Sequence, residues 1–125
     1  MTTKAAFKEL DTWQLAMRFV EDIYKSTAQF PKEELYGLTS QMRRAAVSVP
    51  SNVAEGYCRR STKAYAYHVS VALGSHAELE TCIELACRLG FLRADERARF
   101  AERTNSVGRL LSGLHRSLEA RLGES

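Results

Sequence analysis

Apolar residues recur at alternating steps of three and four along four successive stretches of this chain, a period that gives a helix one apolar face and cannot line a strand. The first stretch carries Leu10, Trp13, Met17, Val20 and Tyr24, and the second Leu35, Leu38, Met42, Ala45, Val49 and Val53. The third runs Val69, Leu73, His76, Leu79 or Glu80, Ile83 and Cys87, and the fourth Phe100, Val107, Leu111, Leu114, Leu118 and Leu122. Four such helices joined by short links cover one another most simply as an antiparallel bundle around one core. The expected fold is therefore all-α, an antiparallel four-helix bundle forming a single domain over residues 1–125. With two prolines and seven glycines, the chain lacks the turn residues of a many-stranded β protein.

Helix boundaries follow from the flanking residues. Leu10 and Leu15 have the spacing of a hydrophobic staple, and Asp11 with Gln14 that of a capping box. They predict a first helix from Thr12 to about Ala28, stopped by Pro31. Pro31 also suits the first position of the next helix, while Gly37 leaves that start open. Gly56 predicts the end of the second helix. Pro50 inside it predicts a kink near Ala46 to Val49, because its ring crowds the Ala46 carbonyl and supplies no amide. Ser61 is placed to cap a third helix of roughly 29 residues, about 43 Å long, ending at Gly90. Asp95 is placed to cap the fourth.

The net charge of +3, from 18 basic and 15 acidic residues, is too small to define a partner, but its distribution is uneven. Between Leu35 and Ala77 the one acid is Glu55, against Arg43, Arg44, Arg59, Arg60 and Lys63, with Tyr57, Tyr65, Tyr67 and His68 close by. In the fourth helix Arg93, Arg97, Arg99, Arg103 and Arg109 alternate with Asp95, Glu96 and Glu102, which predicts a salt-bridged solvent face. Cys58, Cys82 and Cys87 cannot all pair, and residues Met1 to Glu9 hold no long apolar run. No window approaches the roughly 18 apolar residues of a membrane span. A soluble protein of a reducing cytoplasm, with no membrane partner, is expected.

Signals for chemistry are sparse. A di-iron bundle needs Glu-x-x-His pairs, and none of His68, His76 or His115 has a glutamate three residues before it. His76 and Glu80 share a helical face, with Cys87 further along, and are the one conceivable metal set, against the commoner case of a satisfied polar pair. Cys82 and Cys87, five apart, fall on different faces and read as small buried apolar residues. There is no Gly-rich phosphate loop and no nucleophile elbow. The expectation is a protein with no catalytic residues and no cofactor.

The segment from Gln41 to Gly56 is rich in small and polar side chains for the middle of a core helix. Arg44, Ser48, Asn52 and Glu55 can lie on one face, where Arg44 reaches a carboxylate and Asn52 fills the hydrogen bond opened by Pro50. Gly74, with Ala72, Ser75 and Ala77, places a small patch in the middle of the third helix. A glycine there costs about 1 kcal/mol relative to alanine unless close approach offsets it, so a helix crossing or a subunit contact is expected.

Several of these segments occur together. Phe7 to Trp13, Phe30-Pro31-Lys32-Glu33 with Tyr36-Gly37-Leu38, Ser51-Asn52-Val53-Ala54-Glu55-Gly56, and Gly74-Ser75 with Glu78-Leu79-Glu80 closely resemble the 23S rRNA intervening-sequence proteins, over roughly residues 7–92. The last helix shares only its amphipathic pattern. The resemblance implies a left-handed four-helix bundle and barrel-like homo-oligomers, commonly pentamers, of bacterial origin, but no activity. Asn52, Glu55, Gly56, Gly74, Ser75 and Glu78 lie in these segments and, with Arg44 from the polar face of the second helix, are expected to be structural positions. Many relatives are encoded within insertions in rRNA genes. A related branch, the accessory variability determinant of diversity-generating retroelements, binds nucleic acid and partners a reverse transcriptase.

The resulting expectation is a homo-oligomeric accessory protein that binds RNA, or else DNA. Arg43, Arg59, Arg60 and Lys63 would neutralise phosphates, and Tyr57 or Tyr65 would stack on bases. The alternative is a scaffold for another protein, for example a reverse transcriptase, with no direct contact to nucleic acid.

Overall fold

A computed structural model describes residues 6–124. Four helices carry the architecture: α1 (Asp11–Thr27), α2 (Leu38–Cys58), α3 (Thr62–Arg88) and α4 (Ala94–Gly123). Two short 3-10 turns, Ala6–Glu9 and Lys32–Glu34, precede α1 and α2, and no strand occurs among the described residues. Side-chain pairings show that neighbouring helices run in opposite directions. Ser48 of α2 meets Ser75 of α3 while Asn52 meets His68, and Ser26 of α1 meets Glu96 of α4 while Asp22 meets Arg103. One end of the bundle therefore holds the α1–α2 and α3–α4 links, and the other holds the α2–α3 corner and the end of α4.

The core is built largely from the expected seams. Met42, Val49 and Val53 of α2, Val69 and Leu79 of α3, and Phe100, Val107, Leu111 and Leu118 of α4 are all fully buried. Leu79, not Glu80, completes the α3 seam, and Glu80 is exposed. Leu35 falls outside α2 and is exposed, because the chain after Pro31 makes a 3-10 turn and the helix begins only after Gly37.

In α1 the expected seam is displaced. The residues turned inward are Thr12, Ala16, Phe19, Ile23, Ser26 and Thr27. Those at Trp13, Met17, Val20 and Tyr24 lie one position further on, about 100° around the helix, and line or flank an open groove beside α2. Both stripes have helical spacing, so period alone does not choose between them.

Three expected caps shift. Asp11 is the first residue of α1 and not its cap; Leu10 holds that position with no side-chain hydrogen bond, and Asp11 acts only as a charge near the positive helix end. In α4 the cap is Arg93, and Asp95 sits inside the first turn. Glu96 reaches back to accept the Arg93 amide at 3.1 Å, while its other oxygen accepts the Ser26 hydroxyl at 2.5 Å. Burial disfavours the charged Glu96, but the Ser26 hydroxyl, the Arg93 amide and the Arg93 guanidinium outweigh it and hold the carboxyl below its ordinary range. Gly56 does not end α2, which continues through Pro50 and Gly56 to Cys58. Ser61 caps α3 as expected, accepting the Ala64 amide at 3.2 Å.

Cys82 is buried, Cys87 half-buried and Cys58 exposed, all with free thiols. Burial raises the Cys82 and Cys87 thiol pKa values, as suits packing residues. None of the helices is long and apolar enough to cross a membrane.

Candidate nucleic-acid interface

The α2–α3 corner is shaped by a close approach. A methyl group on the buried Gly56 would lie 2.8 Å from the His68 Cβ and 3.2 Å from the Tyr65 Cα, so only glycine lets α3 start this near to α2. Tyr65 packs edge-on to Tyr57, ring centres 5.8 Å apart, and its hydroxyl is buried without a partner. Burial raises the Tyr65 phenol pKa, Tyr57 adds to the rise, and Arg121 of α4 opposes it. Tyr65 is thus half-spent on packing, while Tyr57 is 37% exposed.

The cations lie on the turn that follows. Arg59, Arg60 and Lys63 are all exposed, within five positions of one another. Arg60 has φ of 57°, the left-handed conformation that terminates a helix and that glycine adopts at least cost. A non-glycine residue there bears a strain of order 1 kcal/mol. Arg59 pairs with Glu55 at 2.8 Å, but both side chains are more than half exposed, so solvent leaves the pair weak and the guanidinium available. Arg121, which the sequence reading did not include, comes to this corner because the antiparallel fold returns the end of α4 here.

Arg43 does not join them. It sits sixteen residues earlier on α2, about 24 Å along the axis, and its guanidinium is engaged by the end of α1. Its Nε donates to the Thr27 hydroxyl at 2.9 Å, and the group lies 4.6 Å from the centre of the Tyr24 ring. Arg44 is exposed and makes no ion pair among the described residues, where the sequence pattern placed a carboxylate.

Behind the corner runs a polar seam between α2 and α3. The Ser75 and Ser48 hydroxyls are 2.7 Å apart, and the Asn52 amide nitrogen donates to the Ser48 carbonyl at 2.9 Å. That fixes the Asn52 amide so that its oxygen faces His68 Nδ1 at 3.2 Å, and the other imidazole nitrogen lies 3.4 Å from Glu55. Asn52 was expected to serve the Ala46 carbonyl left open by Pro50; it serves Ser48 instead. His68 was missed as a member of this seam. The available signal was its seven-residue spacing from Ser75, two helical turns on one face.

Further along, the His76 Nε2 donates to the Thr104 carbonyl at 2.9 Å, joining α3 to α4, and Glu80 turns outward. Among the described residues no three His, Cys, Asp or Glu side chains converge as metal ligands. In α4, Arg93 pairs with Asp95 at 3.2 Å, while Arg103 reaches across to Asp22 of α1 at 3.1 Å. Gly74 and Glu78 both face solvent.

These features define an all-helical four-helix bundle with a tight, cationic corner between its second and third helices. Over residues 8–113 the sequence matches the 23S rRNA-intervening sequence protein family, and the chain belongs to it. The matched span extends past the α3–α4 link into α4, further than the short motifs alone reach. No curated protein matches the chain.

Proposed function

We propose that this chain is a non-catalytic, homo-oligomeric accessory protein that binds single-stranded RNA through the α2–α3 corner. The observation that carries this reading is Arg60, an arginine at a left-handed position where glycine is easier, exposed between Arg59 and Lys63. Strain retained in the backbone beside a cluster of cations is the kind of local cost that binding offsets. Tyr57 offers an aromatic face for a base, and Arg121 extends the positive surface. A single +3 chain attracts a polyanion weakly, and repetition of the corner around an assembly multiplies the contacts one strand can make.

The test is binding of a fluorescent single-stranded RNA, followed by anisotropy from low to high salt. Replacing Arg59, Arg60 and Lys63 together by alanine removes three phosphate contacts and should shallow the slope of log affinity against log salt by about 2. An unchanged slope defeats the site. Absence of RNA binding by the wild-type chain at low salt defeats the reading and favours a protein scaffold.

A further inference from the structure

Two opposite faces of the bundle are unlike each other in a complementary way. On the α1–α2 face, large apolar side chains are left outside: Met17, Tyr24 and Val47 are 38%, 44% and 40% exposed. Met17 and Val47 line an apolar groove with Trp13, Val20, Pro50 and Ala54, and no charged residue contributes to it. Charges sit at its edges, Glu21 and Lys25 on α1 and Arg44 on α2.

Across the molecule, α3 and α4 are parted by a long groove, two adjoining segments of about 630 and 610 Å³. Its lining includes the small residues Ala77, Ala101 and Gly108, with Glu80 on the α3 wall and Arg97 and Arg109 on the α4 wall. Beside it Gly74 stands exposed in the middle of α3, and a methyl group built on it meets nothing within 4 Å. No contact inside the chain offsets the roughly 1 kcal/mol that this mid-helix glycine costs, so a helix crossing within the bundle is not its reason.

We propose that copies of this chain associate head to tail, the α1–α2 face of one seating on α3 and the α3–α4 groove of the next. The inference rests on the homo-oligomer reading and assigns its contact. Protruding Met17, Tyr24 and Val47 meet a surface with a small-residue floor, the fit of knobs to holes. Lys25 and Arg44 at one rim suit Glu80 opposite, and Glu21 suits Arg97 or Arg109. A two-helix face about 25 Å long and about 20 Å wide is on the scale of the roughly 800 Å² that each partner of a stable contact buries. A nucleic acid does not suit the apolar groove, whose lining holds no cation to meet a phosphate, and the α3–α4 groove sets Glu80 and Glu84 among its arginines. Because the two surfaces differ, the contact is heterologous, and repetition closes a ring or extends a filament.

Light scattering behind size exclusion tests this with two double variants. Met17→Glu with Val47→Glu places unpaired carboxylates on one surface, and Gly74→Leu with Ala77→Arg fills the other. All four positions are exposed, so each chain should keep its helicity and melting temperature. Each variant should run as a single 14.1 kDa chain, its self-association weakened about 100-fold or more. Mixed, the two should form a one-to-one dimer and nothing larger, because one competent surface of each kind remains. If the wild type is multimeric and either variant keeps the wild-type mass, the face assignment is overturned while the homo-oligomer reading stands. Variants that stay monomeric when mixed show that the intact surface of one does not seat on the intact surface of the other, which also overturns it. A monomeric wild type removes both.

Discussion

The two ends of the bundle are held by different means. At the end bearing the α1–α2 and α3–α4 links, polar side chains stitch one segment to another: Arg43 to Thr27 and Tyr24, and Glu96 to Ser26 and Arg93. Phe30 and Phe91 add a ring contact between the two links, 5.4 Å between centroids. At the α2–α3 corner the chain is held by close backbone approach at Gly56 and by the Tyr57–Tyr65 pair. The first arrangement engages Arg43 and Glu96, whereas the second leaves Arg59, Arg60 and Lys63 facing solvent. A basic residue on α2 thus means one thing at its start and another after its end.

Substitutions can break this contrast, beginning with the largest expected effect. Gly56→Val forces α2 and α3 apart at the corner, and denaturant unfolding should show a loss of about 3 kcal/mol. A loss below about 0.5 kcal/mol would mean that the corner is not set by close approach. Arg43→Ala should cost about 1.5 kcal/mol of stability and leave the salt dependence of RNA binding unchanged. If it instead shallows the salt slope as the corner substitutions do, the division between the ends fails.

Glu96→Gln should cost about 1 kcal/mol at neutral pH. Since the folded carboxyl ionises below its unfolded value, its contribution is complete above the ordinary glutamate pKa of about 4.3 and fades as pH falls through the folded value. The variant and wild type should therefore converge in stability on acidification, and a gap that widens in acid would sink this assignment. The Arg59, Arg60 and Lys63 triple alanine variant should have the smallest effect on unfolding, within about 0.5 kcal/mol, because these side chains are exposed.

The fold was legible in the sequence wherever burial and period agree on one face. The seams of α2, α3 and α4 are read from apolar spacing alone, and Leu79 displaces Glu80 simply because carboxylates stay wet. In α1 two stripes share the period, and the one with larger residues flanks the groove, Trp13 and Val20 packing against the core from its edge while Met17 and Tyr24 stay exposed. Of the candidate site, Arg59, Arg60, Lys63 and Tyr57 are near in sequence and stay near in space. Arg121 was invisible because only the fold brings α4 to the corner, and Arg43 was misplaced because composition does not distinguish a free guanidinium from one seated on a tyrosine.

The serine, asparagine and histidine contacts between α2 and α3 bear on longitudinal alignment. Alanine and valine faces are smooth enough for one helix to slip a turn, about 5.4 Å, past its neighbour with little change in apolar burial. Directional bonds at Ser48 and Asn52 match Ser75 and His68 at only one offset, so slippage would orphan several donors at once. They act as a vernier, setting how far past α2 the third helix starts and hence where the cationic turn is presented.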